Sequence, residues 1–145
     1  MTTGGAMREI LLHGGSDEAF DRSAVFARRL AQSFGARLHV VYTVEDPLSA
    51  GWTAEMGVER LPEIHQAIEA EARDRLARLI PMDEQERLNV EIVVRTGAAG
   101  HELVRYTREA SIDLAIVTAA PADDRGVALA RALLDHGRCA VLVLR

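Results

Sequence analysis

Apolar positions fall along this chain in two rhythms, short unbroken runs and longer stretches that repeat every three to four residues, and the two alternate from end to end. Ile10, Leu11 and Leu12, within Glu9 to His13, form an unbroken run that stops at Gly14 and Gly15, as a strand buried on both faces would. Ser16 is placed to cap a following helix, with Asp17 and Glu18 in its first turn. Phe20, Ala24, Ala27, Ala31 and Phe34 then recur at helical spacing up to Gly35. Arg37 to Val44 gathers β-branched and aromatic residues and reads as a second strand. After a loop with Pro47, Gly51 and Trp52, the stripe Leu61, Ile64, Ile68, Ala72, Leu76 and Leu79 predicts a long amphipathic helix from about Val58 to Leu79.

Leu88 to Val94 alternates Val90, Ile92 and Val94 with Asn89 and Glu91, the pattern of a half-exposed strand at a sheet edge. Thr96 to Gly100 turns into a helix whose inner face uses Leu103, Val104 and Ala110, and Ile112 to Val117 is a buried fourth strand. A loop from Thr118 to Arg125 leads to a helix over Ala128 to His136, ended by Gly137. Ala140 to Leu144 is the fifth strand. Strands alternating with helices at this spacing predict a doubly wound α/β fold, a parallel sheet with right-handed crossovers and helices on both faces. Such sheets open their ligand crevice beyond the carboxyl ends of the strands, here at Gly14 to Ser16 and at Thr118 to Arg125.

Composition narrows the picture. A chain of 145 residues with 48% hydrophobic and 27% charged residues fits one compact domain. A net charge of -5, with the arginines scattered beside acids, disfavours nucleic-acid binding. The one cysteine, Cys139, excludes an internal disulfide and fits a reducing compartment. No apolar run approaches the roughly 20 residues that span a bilayer, and Met1 to Arg8 lacks the pattern of a secretory leader, so the expected location is the cytoplasm, with no membrane contact.

Gly14-Gly15-Ser16 follows a strand and opens a helix, as a phosphate cradle does, but the acids beside it favour a tight turn with a serine cap. Gly97-Ala98-Ala99-Gly100 lacks the Lys and Ser/Thr of a phosphate-binding loop and reads as a plain turn. Cys139 precedes a buried strand and reads as a packed thiol. His13, His39, His65, His101 and His136 form no metal-ligand set, since the spacing of His136 and Cys139 supplies only one pair; no metal is expected. Nothing marks a catalytic nucleophile. Trp52 and Met56 mark either a ligand lid or partner surface, or simply cover for the long helix.

Ile10-Leu11-Leu12 with Gly15-Ser16, Gly97 with its helix, Asp113-Leu114-Ala115-Ile116-Val117, and His136 with Cys139-Ala140-Val141-Leu142-Val143 together resemble the universal stress protein family, from Arg8 to the last residue. The resemblance implies a five-stranded parallel sheet in the order 3-2-1-4-5 and a dimer, with a universal stress protein domain over 8-145 behind a flexible extension over 1-7. ATP-binding members carry an aspartate at the end of the first strand and a glycine-rich loop ending in Gly-Ser/Thr after the fourth. Here Gly14 takes the aspartate position, Thr118 and Pro121 take the loop glycines, and Val127 and Ala128 stand where the Gly-Ser pair would. Pro121 removes a backbone donor. Asp123 and Asp124 add negative charge, which His13 and Arg125 offset only in part.

The reading that follows is a non-catalytic, dimeric stress-response protein without a cofactor, acting on an unidentified protein partner. The alternative is an adenine-nucleotide switch or slow ATPase holding ATP or AMP. The residues that would then hold the nucleotide are Gly14, Gly15, Ser16, Thr43, Val44, Thr118, Ala119, Val127 and Ala128. An enzyme built on Cys139 or His13 is the least supported, because no base is arranged beside either. The dimer is expected to form through Ala140, Val141, Leu142, Val143 and Leu144, an apolar strand with neither Pro nor charge and with no later strand in the sequence to pair its outer edge.

Overall fold

The computed structural model describes residues 7–45 and 54–145, and for residues 54–58 the backbone alone. Most of the expected N-terminal extension, and the candidate lid residues Trp52 and Met56, therefore lie outside the described residues or side chains. The elements run β1 (Glu9–His13), α1 (Glu18–Phe34), β2 (Arg37–Val44), α2 (Ala54–Leu79), α3 (Met82–Arg87), β3 (Glu91–Thr96), α4 (Ala99–Glu109), β4 (Leu114–Thr118), α5 (Arg125–His136) and β5 (Ala140–Leu144). The strands form one sheet in the order β3-β2-β1-β4-β5, with every neighbouring pair parallel.

The unbroken apolar run of β1 has the reason its sequence suggests. Ile10 and Leu12 enter one core with Phe20, Ala24 and Ala27 of α1 and Leu76 of α2, whereas Leu11 enters a second with Leu103 of α4 and Leu133 of α5. Both faces of the central strand are thus closed by helices, and Ile10, Leu11 and Leu12 are completely buried. Each contributes about 2 kcal/mol relative to exposure. Asp113 ties the amino ends of β1 and β4 together, its Oδ2 accepting the N–H groups of Arg8 and Glu9, both at 2.9 Å.

Several boundaries differ from those the pattern predicts. Asp17, and not Ser16, caps α1: its backbone is extended and its Oδ1 accepts the Phe20 N–H at 2.8 Å. The long helix starts at Ala54, and Pro62 lies within it at the cost of one backbone hydrogen bond. Helix α3 has no buried residue and so left no apolar stripe to read; Arg28 of α1 holds it through a side-chain pair with Glu84. Leu88 ends α3 and Asn89 takes a positive φ of 47°, so β3 begins only at Glu91 and not at Leu88. It does lie at the sheet edge. Ala99 and Gly100 already belong to α4, β4 is Leu114–Thr118, and α5 starts three residues before Ala128, at Arg125. Among the described residues no helix is long and apolar enough to cross a membrane.

Candidate ligand crevice

The order of the strands places the reversal of winding between β1 and β4, and a crevice of about 770 Å³ opens there at their carboxyl ends. Gly14, Gly15, Ser16, Thr43, Thr118 and Ala128 line it, bringing together six of the sequence-designated positions. Val44 and Ala119 are not in the lining, Ala119 being buried, and Val127 points outward with 48% exposure. The wall is completed by His13, Asp17, Glu45, Gly97, Gly100, Asp123, Arg125 and Gly126, among others.

The glycine turn is built for packing. A Cβ on Gly14 would stand 2.5 Å from the ring of Tyr42, so the missing side chain lets that ring lie on the backbone. The Gly14 N–H is spent on the Val41 carbonyl at 2.7 Å. Tyr42, whose hydroxyl burial pushes up to about 12, also walls a side chamber of about 240 Å³ with Ile68, Glu71 and Arg75 of α2. On the opposite side the loop after β4 closes as a tight turn, Asp123 N–H to Ala120 carbonyl. Gly126 follows, and a Cβ there would lie 2.1 Å from the Thr118 carbonyl oxygen: α5 rests directly on the end of β4. Nothing local in the sequence distinguishes Gly126 from a surface glycine, which is why pattern reading passes over it.

Some of the backbone donors that an anion would need are already engaged. The Ala119 N–H bonds to Leu144, that of Ala128 to Asp124, and that of Arg125 to the Asp123 carboxylate. Asp123 also grips the Arg125 guanidinium, and that hydrogen bonding holds its carboxyl below the usual range. His13 donates to or accepts from Thr43 Oγ1 at 3.0 Å. Burial, reinforced by the charge of Arg125, lowers its pKa to about 4, so the ring is neutral at physiological pH. Asp17 and Glu45 add two more carboxylates. The floor is closed by a 2.7 Å hydrogen bond between the Ser23 and Thr118 hydroxyls.

Away from the crevice, the Cys139 thiol is half-buried and its pKa raised by that burial. His39 is 2% exposed, with Nδ1 2.8 Å from the Tyr106 hydroxyl and Nε2 left without a hydrogen-bond partner, 3.5 Å from a Glu9 carboxylate oxygen. Among the described residues no group of three His, Cys, Asp or Glu side chains is disposed to hold a metal ion.

A parallel sheet wound on both sides, with a crevice at its switch point, places the chain among the doubly wound α/β proteins. Residues 7–145 match the universal stress protein family, and the chain belongs to it. Universal stress protein UspA from Lactobacillus plantarum shares the fold with a TM-score of 0.72 at 24% identity, over 97% of this chain and 99% of that one. A universal stress protein in complex with cAMP gives 0.64 at 18% identity, over 97% and 98%. The universal stress protein from Archaeoglobus fulgidus in complex with dAMP gives 0.58 at 14%, over 96% and 98%. No curated protein matches the chain.

Proposed function

We infer that this universal stress protein acts as a dimer through contacts with other proteins, without a cofactor or efficient catalysis, and that it does not bind ATP strongly. The observation that carries this reading is the charge of the crevice: Asp17, Glu45 and Asp123 line it against Arg125, which Asp123 already holds. A triphosphate brought there meets net negative charge, and the N–H groups of Arg125 and Ala128 in the wall are already committed. ATP at millimolar concentration is therefore expected to leave the melting temperature within about a degree, whereas a ligand at a hundred times its dissociation constant would stabilise by about 2.7 kcal/mol. A rise of several degrees, reversed by a competing adenine nucleotide, overturns the reading.

A second reading, a nucleotide-binding switch or slow ATPase, is favoured by the size and place of the crevice and by the relatives described in complex with cAMP and dAMP. Mass spectrometry of the protein released from native purification separates the two: retained adenine nucleotide at near one per chain supports the switch.

The dimer reading rests on the contrast between the two edges of the sheet. On β3, Glu91 pairs with Arg37 and Arg95 with Glu109, charges that discourage edge-to-edge pairing. Strand β5 carries none, and its outer edge has no partner among the described residues. Val141 packs into the core, while Val143 is 40% exposed, so Val143 is the side chain offered to a second copy. Val143→Lys is expected to raise the dimer dissociation constant roughly tenfold or more by setting like charges across the twofold axis. Size-exclusion chromatography with light scattering checks it. A wild-type protein that stays monomeric at micromolar concentration removes the dimer from the proposal.

A further inference from the structure

At the opposite pole of the sheet, where β1 and β2 begin, lies a second hollow of about 580 Å³. We propose that this hollow docks an acidic segment of a partner protein, one that carries an apolar side chain next to its carboxylates; the proposal rests on the reading that the chain works through protein contacts.

Three arginines line the hollow, Arg8, Arg37 and Arg87, and no Asp or Glu is among the described residues lining it. Arg8, just before β1, and Arg37, the first residue of β2, are held side by side by the Arg37 N–H bonding to the Arg8 carbonyl at 2.8 Å. The guanidinium of Arg37 is fixed in place, Nε donating to the Asn89 carbonyl at 3.1 Å and Nη2 to Glu91 at 2.6 Å, which leaves further N–H groups on the same planar fork. Among the described residues Arg87 pairs with Asp83 alone, the two side chains being 70% and 74% exposed, and so can exchange that partner for another carboxylate at little cost. Asp83 and Glu91 themselves do not line the hollow.

Apolar surface lies beside the guanidinium groups. The Phe34 ring, at the end of α1, is 54% exposed and joins Met7 and Leu88 in the wall. A rigid guanidinium fork beside an aromatic face suits a carboxylate flanked by an apolar side chain, because the fork accepts planar oxygens bidentately while the ring removes apolar area from water. Charge sets the direction of approach. The chain carries a net charge of -5 and its crevice is lined by three carboxylates, so an acidic partner is repelled from that end and admitted at this one.

The probe is a short peptide of alternating Glu and Leu, with the same peptide bearing Lys in place of Glu as control, titrated into the isotopically labelled full chain and followed by amide chemical shifts. Shifts are expected at Arg8, Arg37 and Leu88 for the acidic peptide only, weakening as salt is raised. Arg8→Gln combined with Arg87→Gln, both exposed positions, is expected to weaken binding about tenfold while leaving the remaining amide spectrum in place. Absence of shifts at millimolar peptide, equal response to the Lys peptide, or shifts centred on the crevice or β5 would each overturn the docking site. Strong ATP binding, by contrast, overturns the broader reading without altering these shifts.

Discussion

Acidification from pH 6.5 to about 4 is expected to remove about 3 kcal/mol of folding stability through His13 alone. The ring lies at the end of β1 in the crevice wall, within hydrogen-bond distance of Thr43 and near the charge of Arg125. Burial and that charge both disfavour the imidazolium in the folded protein, whereas the unfolded chain protonates near the ordinary value of 6.5. Protons are therefore taken up on unfolding. Stability is full above the unfolded value, falls as pH drops through the interval, and levels off below the folded value of about 4. His39, buried against Tyr106 and also lowered by burial, acts in the same direction. Urea unfolding of wild type and His13→Gln across this range isolates the His13 part, since carboxylates and His39 are common to both. Parallel stability curves for the two proteins would show that His13 titrates normally in the fold.

Gly126→Ala is expected to destabilise the protein by about 3 kcal/mol or more, a large effect for a single methyl group. The added Cβ would meet the Thr118 carbonyl oxygen at 2.1 Å, its carbon at 2.8 Å and the Ala119 Cα at 2.9 Å. All three are backbone atoms of the strand end on which α5 rests, so no side chain can swing aside; the helix itself must lift. Lifting it disturbs Leu129 and Leu133, which fill the core between α5 and the sheet. Equilibrium urea unfolding measures the loss, and a variant within about 1 kcal/mol of wild type would mean that the start of α5 shifts freely. A further consequence is a crevice of altered width, because Gly126, Ala128 and Leu129 all form its wall.

What the sequence determined by itself is the set of elements that bury apolar side chains, and through their alternation the fold class. Strands β1, β2 and β5 lie where the pattern puts them, because an apolar run between turn residues has few other ways to leave water. Strand β5 is not, however, the buried strand expected after Cys139: it sits at the sheet edge with no residue fully buried. The edge position of β3 was legible for the same reason, its alternating pattern. Helix α3 was not, since a helix with no buried residue leaves no periodic trace. Strand order came from family resemblance, because pairing between distant segments is not written in any local pattern.

Tertiary contacts alone decided the finer chemistry. Ser16 and Asp17 are both good capping residues; Asp17 is the one whose extended backbone brings its Oδ1 within 2.8 Å of the Phe20 N–H, and that placement is set by the path of the turn after β1. The crevice positions Thr43 and Thr118 were legible as strand ends, but Val127 points to solvent, since one step along a helix turns a side chain by about a hundred degrees. The lowered pKa of His13, the close seat of Gly126 and the trio of Arg8, Arg37 and Arg87 each join residues from distant parts of the chain. Burial, steric approach and local charge are properties of what surrounds a residue, and the sequence names the residue without its surroundings.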